Sequence, residues 1–228
     1  MGKNDNGNNG RTELVFVVDR SGSMGGLESD TIGGFNSMLS KQRTIAGECR
    51  VTTLLFDHRI ETLHDHLDIR EVNDLTSRDY WVRGSTALLD AIGLAIDRMI
   101  VTQRHTAAAY RAQHVLFVII TDGYENASRR YSLHQIKQMI TYERERYHWE
   151  FVFLGANIDA EQTAGDFGIS PRCATDFHAD GQGIKASFEA VACAATAVRG
   201  GADLDDLSAP DFLGGVRDDY RSRRRMNW

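Results

Sequence analysis

The chain has 228 residues, 42% of them hydrophobic and 25% charged, with a formal net charge of −6. That length suits one α/β domain with short extensions, large enough to bury its own core without staples. The negative balance argues against a general binder of nucleic acid or anionic membrane.

Residues 1–11 are rich in Gly and Asn and read as a disordered lead-in. Leu14-Val15-Phe16-Val17-Val18 then forms an unbroken apolar run that stops at Asp19, the pattern of a fully buried strand. Residues 31–43 follow as a helix, with Ile32, Phe35, Met38 and Leu39 at core spacing and Asp30 or Ser29 as N-cap. Residues 51–56 and 60–64 flank the polar turn Asp57-His58-Arg59, which predicts a hairpin and one antiparallel strand at the sheet edge. Residues 65–83 read as loop. Residues 87–101 carry Leu88, Leu89, Ile92, Ala95, Ile96 and Met99 on one helical face.

A second buried strand is expected over 114–120, running into Thr121-Asp122-Gly123. Helix 132–147, strand 151–154, helix 159–167, strand 173–177 and helix 184–198 complete the alternation. Beyond Gly200 the chain turns polar and closes on Arg221, Arg223, Arg224 and Arg225, which read as a solvated basic tail. Strands alternating with helices predict a doubly wound, mostly parallel central sheet with one antiparallel edge strand and helices on both faces. The expected domain covers residues 12–199, followed by a polar extension over 200–228.

Cys49, Cys173 and Cys193 are few and widely spaced, with no CxxC pair. They read as free thiols in a reducing compartment. The opening residues have no secretory h-region, and the longest apolar runs are too short to span a bilayer. A cytoplasmic location is expected.

Open α/β sheets bind ligands at the carboxyl ends of their strands, near the point where strand order reverses. Three groups fall there: Asp19-Arg20-Ser21-Gly22-Ser23-Met24, Gly84-Ser85-Thr86-Ala87-Leu88, and Thr121-Asp122-Gly123. All supply small oxygen ligands, which suit Mg²⁺, Mn²⁺ or Ca²⁺ and not zinc. Asp19, Ser21 and Ser23 alternate along an extended loop, so their side chains can converge on one point. Gly22 permits the tight turn between them. No Ser–His–Asp order, HExxH or reactive-Cys context accompanies these residues.

Asp19-x-Ser21-x-Ser23, then Thr86, then Asp122 resembles the metal-ion-dependent adhesion site of von Willebrand factor A domains. The surrounding text, from Phe16 to Met24, Gly84 to Leu88 and Ile120 to Gly123, resembles that family closely, in an intracellular bacterial or phage form. The resemblance implies that Ser21 and Ser23 ligate a metal directly, that Thr86 does so directly or through water, and that Asp19 and Asp122 act largely through bridging waters. It implies Mg²⁺ as cofactor, with Mn²⁺ or Ca²⁺ as alternatives, and a last coordination position for an Asp or Glu of a protein partner. Neutral hydroxyls beside the ion leave it electrophilic toward that carboxylate. Arg20, Met24, Ser85, Tyr124, Glu125 and Asn157 are expected at the partner-facing rim, a solvated loop being the alternative for residues 124–126.

A non-enzymatic adaptor or scaffold is therefore expected. The resemblance implies partners in multiprotein assemblies, including AAA+ ATPase-linked, stress or phage systems. Two alternatives stand beside it: a metal-dependent phosphoester hydrolase on a similar frame, and an assembly protein with a purely structural metal. His58, His64, Asp65 and His66 read as ordinary exposed hairpin residues. Asp90 reads as a first-turn helix acid.

Overall fold

The computed structural model describes residues 10–208 and 210–226, with the side chains of residues 225 and 226 left aside. Most of the expected lead-in, residues 1–9, lies outside the described residues, as does the Arg225 side chain.

Six strands form one sheet in the order β3-β2-β1-β4-β5-β6. They are β1 (Thr12–Asp19), β2 (Cys49–Phe56), β3 (Ile60–Asp68), β4 (His114–Thr121), β5 (Glu150–Gly155) and β6 (Ala174–Asp176). All neighbours run parallel except the β2–β3 hairpin, which is antiparallel at the edge. The apolar runs in β1, β4 and β5 are buried on both faces, as a sheet covered on both sides requires. This is the doubly wound, mostly parallel architecture expected from the alternating pattern.

The helices are α1 (Glu28–Arg43), α2 (Leu88–His105), α3 (Leu133–Tyr147), α4 (Ala160–Asp166), α5 (Gly181–Arg199) and α6 (Gly214–Met226). Helices α1 and α5 pack together on one face, where Phe35 meets Phe16 of β1 and Phe188 of α5 edge-on. The approach is close because Gly34 faces the Phe188 ring; a Cβ there would stand 2.3 Å from it. Helices α2 and α3 pack together in turn. Strand order reverses between β1 and β4, so the crevice at their carboxyl ends is the natural ligand position.

Several local readings change. Helix α1 begins at Glu28 with Leu27 at its cap and no side-chain cap bond, not at Ser29 or Asp30. A 3₁₀ turn over Gly22–Met24 leads into it through backbone bonds, including Leu27 N–H to Met24 O at 3.0 Å. Strand β3 runs on to Asp68 past a register shift, with His66 in the left-handed region at φ 54°. His64 is buried, not exposed. Its ring stacks on Phe35, and Nδ1 lies 3.0 Å from Thr53 Oγ1. His66 turns instead toward Glu13, 2.9 Å away, so the two histidines do not converge.

The segment after Gly200 also orders itself. Leu204, Leu213 and Val216 are buried in the common core. Arg217 of α6 donates to the carbonyls of Pro171, Arg172 and Ala174 at 3.0–3.1 Å, which fastens the helix beside β6. Arg223 is no free tail residue, because it pairs with Asp180 and Asp219. A polar sequence hides this helix: its apolar anchors are few, and Arg217 and Arg223 pair with Asp211, Asp180 and Asp219.

Candidate metal centre

The carboxyl ends of β1 and β4 meet the loop that precedes α2. Asp19, the last residue of β1, is fully buried. Its Oδ1 accepts the Ser21 amide at 2.7 Å, and its Oδ2 accepts the Thr121 hydroxyl of β4 at 2.6 Å. Its carbonyl accepts the Tyr80 hydroxyl at 2.5 Å. Backbone, carboxylate and both central strands are thereby locked together.

Ser21 and Ser23 follow with their hydroxyls 3.0 Å apart. Gly22 lies between them, and its amide donates to the Gly84 carbonyl at 3.1 Å, which ties the first loop to the segment before α2. Gly84 takes φ +69° there. Thr86 is clamped by Asn126: its amide donates to Asn126 Oδ1 at 2.9 Å, and its carbonyl accepts the Asn126 amide at 3.0 Å. Gly123 closes the ring. A Cβ at that position would stand 3.2 Å from Ser23 Oγ and 3.6 Å from Thr86 Oγ1, so both hydroxyls crowd the same spot beside Asp122.

The five expected ligand positions, Asp19, Ser21, Ser23, Thr86 and Asp122, are thus brought to one rim of the sheet. Asp19, Ser21, Thr86 and Asp122 are buried, whereas Ser23 is exposed, so the cluster opens on the Ser23 side. Neither Asp122 carboxylate oxygen has a hydrogen-bond partner. Burial raises the Asp122 carboxyl, with the nearby Ser23 hydroxyl offsetting part of the effect. Burial also raises the Asp19 carboxyl; the bonds from Thr121 and Ser21 oppose it, and the charge of Asp122 adds to it. Two buried carboxylates of like charge, one of them without a partner, call for a cation. The donor set is entirely oxygen, and it fits a hard divalent ion.

The rim differs from expectation at three positions. Arg20 and Met24 are buried at 1% and 0% exposure and cannot meet a partner. The segment is not the alternating extended loop expected: Asp19, Arg20 and Ser21 are all buried, and the 3₁₀ turn over Gly22–Met24 leaves Ser23 exposed while returning Met24 to the core. Arg20 lies on the β2–β3 hairpin, with Nε 3.2 Å from Asp57 and a terminal nitrogen 2.7 Å from Glu61. Arg83 joins the same Asp57 at 2.8 Å, and both guanidinium groups stand over the Trp81 ring. Burial alone would raise the Asp57 carboxyl, but the Arg83 hydrogen bond and the two positive charges hold it below its ordinary value. Glu125 is also committed inward. Its carboxylate accepts the amides of Leu89, Ala127 and Ser128 and the Ser128 hydroxyl, all within 2.9 Å. Ser85, Tyr124 and Asn157 are exposed.

Tyr80, Thr121, Gly123 and Asn126 are site residues whose roles sequence reasoning does not assign. Thr121 and Gly123 adjoin Asp122, so their position is a readable signal. Tyr80 lies 61 positions from Asp19 in a stretch with no periodicity, and only folding brings it there. Asp90 exceeds its expected role: its carboxylate accepts the amides of Arg129, Arg130 and Tyr131 and holds the loop that enters α3. Among the described residues no group of three or more His, Cys, Asp or Glu side chains is arranged to hold a metal; the cluster at Asp19 and Asp122 combines two carboxylates with hydroxyls. Among them, too, no helix is long and apolar enough to cross a membrane.

No protein-family model and no curated protein matches this chain. Solved structures do resemble it. Proximal thread matrix protein 1 from the mussel byssus, in a form with a zinc-occupied MIDAS motif, superposes with a TM-score of 0.57 at 16% identity over 82% of this chain. A second crystal form of that protein gives 0.55 at 14% identity over 82% of this chain. The chain spans 46% of the mussel protein's length in both cases. The manganese-loaded TRAP protein of Plasmodium vivax gives 0.51 at 16% identity, over 78% of this chain and 72% of that one. At such identities the likeness establishes the architecture alone, and that architecture is the Rossmann-like α/β fold of von Willebrand factor A domains.

Proposed function

We propose that this chain is a non-enzymatic protein-interaction module in which a divalent metal, Mg²⁺ by preference, receives a carboxylate from a protein partner. The observation that carries this reading is Asp122: a buried carboxylate with both oxygens unpartnered, beside hydroxyls that open to solvent at Ser23. Ser21, Ser23 and Thr86 would hold the ion through neutral oxygens, while Asp19 and Asp122 balance its charge. A bound ion supplies the attraction for an incoming Asp or Glu. Two structural relatives carry a divalent metal, zinc in the MIDAS motif of the mussel protein and manganese in the Plasmodium protein, which supports a divalent ion here. All-oxygen donors favour Mg²⁺, Mn²⁺ or Ca²⁺ over zinc here.

The sequence resemblance and the three free cysteines favour a cytoplasmic setting and a partner within a multiprotein assembly, such as one built around an AAA+ ATPase or belonging to a stress or phage system. Mn²⁺ used as a relaxation probe tests the reading. Wild-type protein is expected to bind Mn²⁺ in competition with Mg²⁺, and Asp122→Ala to lose that binding. A glutamate-bearing peptide is expected to lower the water-proton relaxation of the bound Mn²⁺ by about one water's worth. Calorimetry showing no Mg²⁺ or Mn²⁺ binding would remove the reading, and Mg²⁺-dependent turnover of phosphoesters would replace it with the hydrolase.

A further inference from the structure

The metal centre has an apolar neighbour. A cavity of about 380 Å³ opens beside it between the loop after β4 and helix α4. Its walls include Leu88 and Leu89 at the start of α2, Ile158 before α4, Phe167 after it, and Leu133 and Tyr124 at the mouth. The first four are buried; Leu133 and Tyr124 are 44% and 62% exposed. Ligand pockets commonly span about 300–1,000 Å³ with mostly apolar linings, and this one falls in that range.

Gly123 belongs to both places. It lines the cavity, and it also borders the Ser23 and Thr86 hydroxyls closely enough that a Cβ would touch them. A single residue without a side chain therefore separates the open edge of the metal centre from the apolar wall. Asp159 and Asp166 border the same cavity, so a second carboxylate entering there would be repelled.

We propose that this cavity takes an apolar side chain, best an aromatic ring, two residues away from the partner carboxylate that reaches the metal. The proposal rests on the metal-centre reading above and specifies its partner as a segment carrying one acidic residue and one apolar residue at that spacing. In an extended segment, side chains two apart point to the same side, about 6.4–6.8 Å along the chain, and the one between points to solvent. One side chain can then meet the metal while the other enters the cavity across Gly123. Burying part of an aromatic ring against these walls is expected to raise affinity about tenfold.

The test uses the full chain, ¹⁵N-labelled, in saturating Mg²⁺. Three synthetic peptides are titrated: acetyl-Gly-Glu-Gly-Phe-Gly-amide, its reverse order with Phe before Glu, and acetyl-Gly-Glu-Gly-Gly-Gly-amide. One Phe peptide is expected to bind about tenfold tighter than the Gly peptide and to shift the amide signals of Leu133, Ile158 and Phe167 as well as Ser23 and Gly123. L133S removes an exposed part of the mouth without touching the metal ligands. It is expected to cut the Phe advantage to about threefold or less, with Mg²⁺ affinity and Gly-peptide affinity unchanged. If all three peptides perturb Ser23 and Gly123 with equal affinity, the cavity proposal is wrong while the metal-centre reading stands. If none perturbs them in Mg²⁺, both fall together. If the Phe peptide binds equally well in EDTA, the cavity acts without the metal, and the coupling proposed here is overturned.

Discussion

Thr121 on β4 donates its hydroxyl to Asp19 on β1 at 2.6 Å, joining the two central strands at the point where strand order reverses. The bond fixes one carboxylate oxygen while the Ser21 amide fixes the other, so Asp19 has almost no freedom to turn. Residues that orient metal-linked groups in this way are typically worth about 10–100-fold in metal affinity. Thr121→Val keeps the shape and removes the donor. It is expected to weaken Mg²⁺ binding by about tenfold or more in calorimetry and to cost about 1–3 kcal/mol in urea unfolding. Unchanged affinity would show that Asp19 needs no orientation from β4.

A Cβ at Gly123 would press on the Ser23 hydroxyl at 3.2 Å and come into ordinary contact with that of Thr86 at 3.6 Å. Gly123→Ala is therefore expected to lower Mg²⁺ affinity by about tenfold, while denaturation in EDTA shifts by less than about 1 kcal/mol. A large loss of stability would mean that the backbone, and not the metal centre, needs this glycine.

Asp57 is fully buried between Arg20 and Arg83. Asp57→Ala leaves the buried Arg20 with only the exposed Glu61 as its acid partner. Removing one member of a buried pair costs about 3–5 kcal/mol, and a loss in that range is expected from urea titration. Because Arg20 lies between Asp19 and Ser21, Mg²⁺ affinity is expected to fall as well. A variant as stable as wild type would show that Glu61 alone neutralises Arg20.

Burial raises the Glu150 carboxyl to about 7, and the charge of Asp203 adds to the effect, ahead of that of Asp205. The folded-state value lies above the unfolded one, so the folded protein holds this proton after the unfolded chain has released it. Stability is fully present below about pH 4.5, falls as pH rises toward 7, and levels off above it. The partly solvated position reduces the change to about 1–2 kcal/mol. Glu150→Gln is expected to flatten this part of the pH–stability curve, which chemical denaturation between pH 4.5 and 8 reads directly. An unaltered slope would assign the pH dependence to other groups.

The sequence by itself determined the frame. Apolar runs in residues 14–18, 114–120 and 151–154 can be satisfied only by strands covered on both faces, and the intervening helices carry one apolar stripe each. It also placed Asp19, Ser21, Ser23 and Asp122 at strand ends, because ligand positions follow from strand polarity, and Thr86 just ahead of a helix. Tertiary structure alone decided which neighbours of those residues face a partner. Arg20 and Glu125 look like rim charges in the sequence, but Arg20 is buried against Asp57, 37 residues away, and Glu125 accepts amides from Leu89 and its own loop. Tyr80 and Asn126 gain their roles from packing between segments about 40–60 residues apart. Helix α6 was hidden for a related reason: only Val216 of the helix and Leu213 just before it reach the core, and Arg217 and Arg223 tie the helix to other elements. Periodicity is local and can be read along the chain. Long-range hydrogen bonds and ion pairs depend on which surfaces folding brings together, and no short window of sequence contains them.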